Sequence, residues 1–218
     1  MKQRKMENKI QIEMKGGKKM EKLEILVIED VPEFADVARG VYDADDRVNA
    51  HYAANYEEAM AMLEKKKYDG VVSDLFFPSE TDFIKAFAGE TDSSKSAFGE
   101  EYGRTYQDRF EKLDENPSGL AILQYGINHD IPTVVISQGD RHKGNLEVVR
   151  AVMGIHPLFS KQYQEGDPLS WMFVNGGREV DKNNPEMWEN AVHGEYPSID
   201  GIIGLKPEFG MSFRDRWT

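Results

Sequence analysis

Short apolar runs alternate with amphipathic stretches along most of the chain. Leu23–Ile28 is an almost unbroken apolar run that ends at an acidic pair, and it predicts a strand buried on both faces of a sheet. Pro32 then opens a stretch with apolar residues at helical spacing, since proline is tolerated in the first turn of a helix. Val48–Ala53 predicts a second strand, and the apolar run Tyr68–Leu75 a third that finishes in a carboxylate, Asp74.

Helix starts and further strands continue the same alternation. Asn55 predicts the N-cap of a helix that fades at Lys65–Lys67, and Asp167-Pro168 and Asn184-Pro185 each predict a helix start of the N-cap-then-proline type. The pattern also predicts, in order, a helix around Leu120–Asn128, a strand over Ile131–Ser137, a helix over Leu146–Met153 and a short fifth strand over His156–Ser160. Strands that alternate with helices predict an α/β fold with a doubly wound parallel sheet of five strands.

One long segment interrupts the alternation. Ser79–Pro117 has no strand signal and holds ten acidic against five basic side chains. Within it, Tyr102, Tyr106, Phe110 and Leu113 follow a helical spacing, so residues 100–114 are predicted to form an amphipathic helix. We therefore expect a helical insertion between the third strand and the next regular helix.

Charge and composition narrow the class of protein. The chain has 218 residues, a formal charge of -12 and no cysteine, which excludes disulfide scaffolds and thiolate metal sites. Residues 1–22 carry eight basic and three acidic side chains, so the remainder carries -17 and should repel nucleic-acid phosphates. No apolar run reaches the roughly 20 residues of a membrane span, and a cytoplasmic protein is expected. The predicted organisation is a basic tail over 1–22, a main domain over 23–162 and a C-terminal extension over 163–218.

Chemistry-bearing side chains follow the predicted strands. Parallel strands end at the same edge of a sheet, where such folds bind ligands. The residues predicted to meet at this edge are Glu29, Asp30, Asp74, Ser137 and Lys161. Three neighbouring carboxylates repel one another, so the cluster predicts a cation, and Mg²⁺ fits best because it accepts a few carboxylates together with waters and a phosphate oxygen. With that charge neutralised, Asp74 can act as a nucleophile towards a phosphoryl group, and the roles of neutralising its oxygens are open to Ser137 and Lys161.

These motifs, taken in order, resemble the receiver domain of two-component response regulators, the CheY-like family. The resemblance is carried by Glu-Ile-Leu-Val-Ile-Glu-Asp at 24–30, Tyr-Asp-Gly-Val-Val-Ser-Asp-Leu-Phe-Phe-Pro at 68–78, Pro-Thr-Val-Val-Ile-Ser at 132–137 and the lysine at 161. It implies a flavodoxin-like (βα)₅ fold with an insertion at 79–117. It also implies that Asp74 is the phosphoacceptor, Glu29 and Asp30 the metal-binding acidic pair, Ser137 the switch hydroxyl and Lys161 the phosphate-contacting lysine.

The function that follows is phosphoacceptor signalling rather than enzymatic turnover. A sensor histidine kinase, a phosphotransfer protein or a small phosphodonor would supply the phosphoryl group, with Mg²⁺ as cofactor, and the product would bind an unknown downstream protein. No nucleic-acid or membrane partner is expected, since the C-terminal region is too acidic and too poor in helical periodicity for a DNA-binding output domain. Two alternatives stay open: a non-phosphorylated pseudo-receiver that binds proteins, and a Mg²⁺-dependent phosphohydrolase. The second lacks the acidic residue that haloacid dehalogenases place two positions after the nucleophile, because Phe76 stands there.

Overall fold

The computed structural model describes residues 22–96, 98–138, 143–156, 180–194 and 198–203. Four parallel strands form one sheet in the order β2-β1-β3-β4, which is the order of the first four strands in flavodoxin-like folds. The strands are β1 Leu23–Ile28, β2 Val48–Ala53, β3 Gly70–Asp74 and β4 Thr133–Ile136. The parallel α/β class is therefore confirmed. The predicted fifth strand lies almost wholly outside the described residues, as do Lys161 and the predicted helix start at Asp167-Pro168.

Helices link and cover these strands. They are α1 Pro32–Tyr42, α2 Tyr56–Lys65, α3 Phe83–Glu90, α4 Glu100–Phe110, α5 Ser118–His129, α6 Gly144–Met153 and α7 Pro185–His193. The predicted caps are confirmed, because Asn55 accepts a hydrogen bond from the Glu58 amide at 2.9 Å and Asn184 accepts one from the Glu186 amide at 3.0 Å. Among the helices of the described ranges, none is both long and apolar enough to cross a membrane.

The alternation of side chains along β1 divides the core between the two faces of the sheet. Leu26 and Ile28 pack towards α2 and α5, in a cluster that also holds Leu63 and Ile122. On the other face, Ile25 and Val27 belong to the larger cluster. That cluster also includes Tyr42 of α1, Val149 of α6 and Trp188 of α7. Both faces of β1 are thus buried, as its unbroken apolar sequence predicts.

The insertion is part of this core. The helix predicted over residues 100–114 is present as α4, but it ends at Phe110, and α3 was not predicted from the sequence. Phe83 and Phe87 of α3 and Phe110 of α4 are buried in the larger cluster. Asn116 joins the two ends of the insertion, because its side chain accepts from the Phe83 amide at 3.1 Å and donates to the Thr81 carbonyl at 2.5 Å. The insertion is therefore packed structure rather than a loose surface loop.

Helix α5 begins directly against the end of β3. The Gly119 amide donates to the Leu75 carbonyl at 2.9 Å, and the Ser118 hydroxyl donates to the Phe77 carbonyl at 2.8 Å. A Cβ atom on Gly119 would lie 2.7 Å from the Leu75 Cα and would also meet the Asp74 carbonyl oxygen. The absence of a side chain at Gly119 therefore allows the backbone beside Asp74 to lie this close to α5.

We expect Gly119→Ala to lower the free energy of unfolding by about 1–3 kcal/mol, because its methyl group meets rigid backbone. Gly40→Ala is the matched control. Gly40 lies within α1 with no heavy atom within 4 Å of its added Cβ, and alanine there should stabilise the helix by up to about 1 kcal/mol. Urea denaturation of both variants measures the difference. Equal midpoints for the two variants would contradict the close packing described for Gly119.

Candidate functional site

Three carboxylates meet at the carboxyl edge of the sheet. Glu29 and Asp30 follow β1, and Asp74 is the last residue of β3, the strand next to β1. Ligand oxygens from all three lie within 4.8 Å of one another. The convergence of Glu29, Asp30 and Asp74 that the sequence predicted is therefore present in the structure.

Two of these carboxylates are deeply buried. Glu29 is 4% exposed and Asp74 is 8% exposed, whereas Asp30 is half-buried. A nearby backbone amide forms a hydrogen bond with one oxygen of each buried carboxylate. The Val31 amide donates to Glu29 Oε1 at 3.2 Å, and the Leu75 amide donates to Asp74 Oδ1 at 2.7 Å. Such bonds favour the ionised form, but burial opposes it.

Burial has a larger effect than these hydrogen bonds, so the pKa values of the three carboxyl groups are raised. Burial is the largest cause that raises the pKa of Glu29, the nearby charge of Asp74 also raises it, and Lys182 lowers it; together they move this pKa from 4.5 to about 7. Burial likewise raises the pKa of Asp74 and of Asp30, again as the largest cause. The site therefore holds carboxyl groups that ionise less readily than ordinary ones.

Lys182 supplies a cation at this cluster. Its ammonium Nζ lies 2.7 Å from Glu29 Oε2 and 2.8 Å from Asp74 Oδ2, and it stands 5.3 Å from the centre of the Phe34 ring. The residue is 2% exposed, so both ion pairs form away from water. Sequence reasoning missed Lys182, because a single lysine in a polar segment before Asn184-Pro185 carries no local signal of burial.

Two further site residues were predicted, Ser137 and Lys161, and the structure describes only the first. Ser137 follows β4 directly and is buried, and its neighbour Ile136 is paired with Asp74 in the sheet register. Ser137 therefore lies at the same edge of the sheet as the carboxylates. The predicted phosphate-contacting lysine, Lys161, lies outside the described residues, and its role stays a prediction.

The donor set suits a divalent cation. The Oδ1 atom of Asp30 is buried and has no hydrogen-bond partner among the described residues, which leaves one ligand oxygen of the triad available. Carboxylate oxygens are the ligands that Mg²⁺ prefers. Glu29, Asp30 and Asp74 could hold such an ion, but two of them already contact the Lys182 ammonium.

A cavity lies beside Asp30, on the side of the insertion. It has a volume of about 310 Å³ and is lined by Asp30 and residues 76–79 on one side, with Glu115 and Asn116 from the end of the insertion. This volume lies at the lower end of the range for small-molecule pockets. A small ligand could therefore reach the half-buried Asp30.

Comparison with known proteins gives only distant structural similarity. No family model and no curated protein matches the chain. The chemotaxis response regulator CheY4 of Vibrio cholerae is similar at 14% identity and a TM-score of 0.32, over 78% of this chain and 94% of that one. The RcsB response regulator of Salmonella typhimurium is similar at 13% identity and a TM-score of 0.27, over 91% of this chain and 98% of that one. At these scores the fold assignment depends on the sheet order and register rather than on the matches.

The raised pKa of Glu29 predicts a stability that depends on pH. Between pH 4.5 and about 7 the folded state keeps a proton that the unfolded chain releases, so the free energy of unfolding should fall as the pH rises through that window. Glu29→Gln should reduce this slope, because an amide does not titrate. Urea denaturation at several pH values measures it, with exposed Glu33→Gln as the control. A slope in Glu29→Gln as steep as in the wild type would show that other groups cause it.

Proposed function

We propose that the protein is a receiver module that accepts a phosphoryl group on Asp74 and thereby changes its affinity for a partner protein. The donor is the phosphohistidine of a sensor kinase or phosphotransfer protein, or a small phosphodonor. One observation carries the proposal: Asp74 ends β3 beside Glu29 and Asp30, with an ammonium 2.8 Å from its carboxylate. A nucleophilic carboxylate, further acidic ligands and a fixed cation are the groups that phosphoryl transfer to a carboxylate requires.

The transfer is an in-line displacement at phosphorus. A carboxylate oxygen of Asp74 forms the new O–P bond while the P–O bond of acetyl phosphate, or the P–N bond of phosphohistidine, breaks. The leaving acetate or imidazole keeps the bonding electron pair, and the product is an aspartyl acyl phosphate. A Mg²⁺ ion held by Glu29, Asp30 and Asp74 would supply further positive charge at the phosphoryl oxygens.

In this proposal Lys182 has the phosphate-contacting role that the resemblance to receiver domains implies for Lys161. Its ammonium contacts Asp74 directly, so it can neutralise a phosphoryl oxygen once the acyl phosphate has formed. The hydroxyl of Ser137, at the same edge of the sheet, is the proposed second donor.

A second candidate function is favoured by the same lysine. The Lys182 ammonium pairs with both Glu29 and Asp74, so the cluster can serve as a buried ionic contact of a protein-binding module that is never phosphorylated. The two candidates differ in one chemical property, the reactivity of Asp74 towards a phosphodonor.

We expect the wild-type protein, incubated with acetyl phosphate and Mg²⁺, to gain one labile phosphoryl group. Asp74→Asn should gain none, because the amide keeps the shape of the side chain but removes the nucleophile. Asp82→Asn is the matched control, since Asp82 is an exposed N-cap of α3 and asparagine is also a good cap. Intact-protein mass spectrometry measures the adduct. An unmodified wild type would favour the binding module, and continuous release of phosphate would favour a phosphohydrolase.

We expect Mg²⁺ to bind the wild type and to bind Asp30→Asn about tenfold more weakly or worse, the effect of losing roughly 1.4 kcal/mol of ligand interaction. Lys182→Met should bind Mg²⁺ more tightly, because the variant removes a positive charge that contacts two of the three carboxylates. Isothermal titration calorimetry measures the affinities, with exposed Asp36→Asn as the control. Equal affinity in the wild type and Asp30→Asn would place the ion elsewhere.

A further inference from the structure

Lys182 connects the acidic site to helix α7. The helix begins three residues later at Pro185, after Asn184 as its N-cap. The side chain of Lys182 points into the carboxylate cluster, while its main-chain amide donates to the Gln138 side chain at 3.4 Å, just beyond β4. The ammonium and the start of α7 are therefore held by one short stretch of backbone.

Trp188 fixes that stretch from within the helix. Its side chain is 1% exposed, and its indole Nε1–H donates a 2.9 Å hydrogen bond to the carbonyl oxygen of Lys182. The carbonyl oxygen of Trp188 in turn accepts a 2.7 Å bond from the hydroxyl of Tyr42, the last residue of α1. A continuous chain of contacts thus joins Asp74 to Lys182, Trp188 and the buried face between α1 and α7.

The position of the lysine backbone matters because the ion pairs are buried. A lysine side chain loses rotamer freedom when it is fixed in one place. Buried ion pairs also need good geometry to compensate for lost hydration. If the backbone of Lys182 is already fixed, the residue loses less conformational freedom when it forms its ion pairs. The hydrogen bond from Trp188 should therefore favour the conformer in which Lys182 reaches both carboxylates.

We infer that Trp188 is a positioning residue for Lys182, and that occupancy of the acidic site is energetically coupled to the docking of helix α7 on α1. The inference deepens the proposed function, in that it takes Asp74 as the group whose state changes. Because such coupling is reciprocal, a phosphoryl group on Asp74 changes the docking of α7, and a protein bound at the α1–α7 surface changes the site.

The first test measures how accessible the Lys182 amine is. The protein is treated with N-hydroxysuccinimidyl acetate, and acetylation of each lysine is followed by peptide mass spectrometry. We expect Trp188→Phe, which keeps a buried aromatic ring but loses the indole N–H, to speed the acetylation of Lys182 by about fivefold, the population shift expected from one ordinary hydrogen bond. Lys66, which is paired with Glu24 on another part of the sheet, should react at the wild-type rate.

Val192→Ala separates positioning from general destabilisation of the helix. Val192 is fully buried in α7 and has no part in the Lys182 hydrogen bonds, so its truncation destabilises the helix without removing the anchor. If Trp188 positions Lys182, acetylation is faster in Trp188→Phe than in a Val192→Ala variant of equal or lower stability. Equal rates in two variants of matched stability, or the wild-type rate in Trp188→Phe, would overturn the inference.

The second test runs in the opposite direction, from the site to the helix. Hydrogen exchange of the α7 amides is compared in Glu29→Gln, Asp74→Asn and Asp30→Asn. The first two remove a charge that contacts Lys182, whereas Asp30 forms no ion pair with Lys182 in the structure and is the matched control. We expect α7 to exchange several-fold faster in the first two variants than in Asp30→Asn, with α2 on the opposite face unchanged. Equal exchange of α7 in all three would contradict the coupling.

Neither test requires phosphorylation or a bound metal. If Asp74 proves unreactive towards phosphodonors while the acetylation and exchange results stand, the receiver function fails and the coupling remains. If Asp74 is phosphorylated but α7 does not respond, the coupling fails and the receiver function remains.

Discussion

The buried contact of Lys182 with Glu29 and Asp74 joins the start of helix α7 to the ends of strands β1 and β3. Two carboxyl groups at the ends of β1 and β3 are held away from water, where their ionised forms need a neighbouring positive charge. The chain brings that charge from 108 positions beyond Asp74, in the segment that leads into α7. A chain of contacts therefore joins the sheet edge to the start of α7 and to the packing of α7 on α1.

The insertion has a comparable structural role on the other side of Asp74. Phe83, Phe87 and Phe110 contribute to the main core, so the residues after β3 add a packed pair of helices rather than a removable loop. The insertion ends after Asn116, and helix α5 follows directly. The first turn of α5 lies against the backbone of Asp74 and Leu75. Strand β3 is thus held by backbone contacts, and the cavity beside Asp30 is formed partly by the insertion.

Local signals explain why much of this could be predicted from the sequence. The apolar run of β1, the Asn55 and Asn184 caps and the helical spacing of α4 are properties of short segments, and the structure confirms them. The meeting of Glu29, Asp30 and Asp74 was predictable because parallel strands end at one edge. Helix α3 was missed because it is only eight residues long and lies in an acidic segment without strand signals. Lys182 was missed because its burial results from long-range packing, which no local pattern records.

We propose that the carboxylate of Asp74 is a reactive phosphoacceptor, and a chemical map of the modified position tests this most directly. An aspartyl acyl phosphate is reduced by borohydride to homoserine, whereas an unmodified aspartate is not. After treatment with acetyl phosphate and Mg²⁺ followed by borohydride, peptide sequencing should find homoserine at position 74 and aspartate at positions 30 and 82. Homoserine at another aspartate, with position 74 unchanged, would contradict the account.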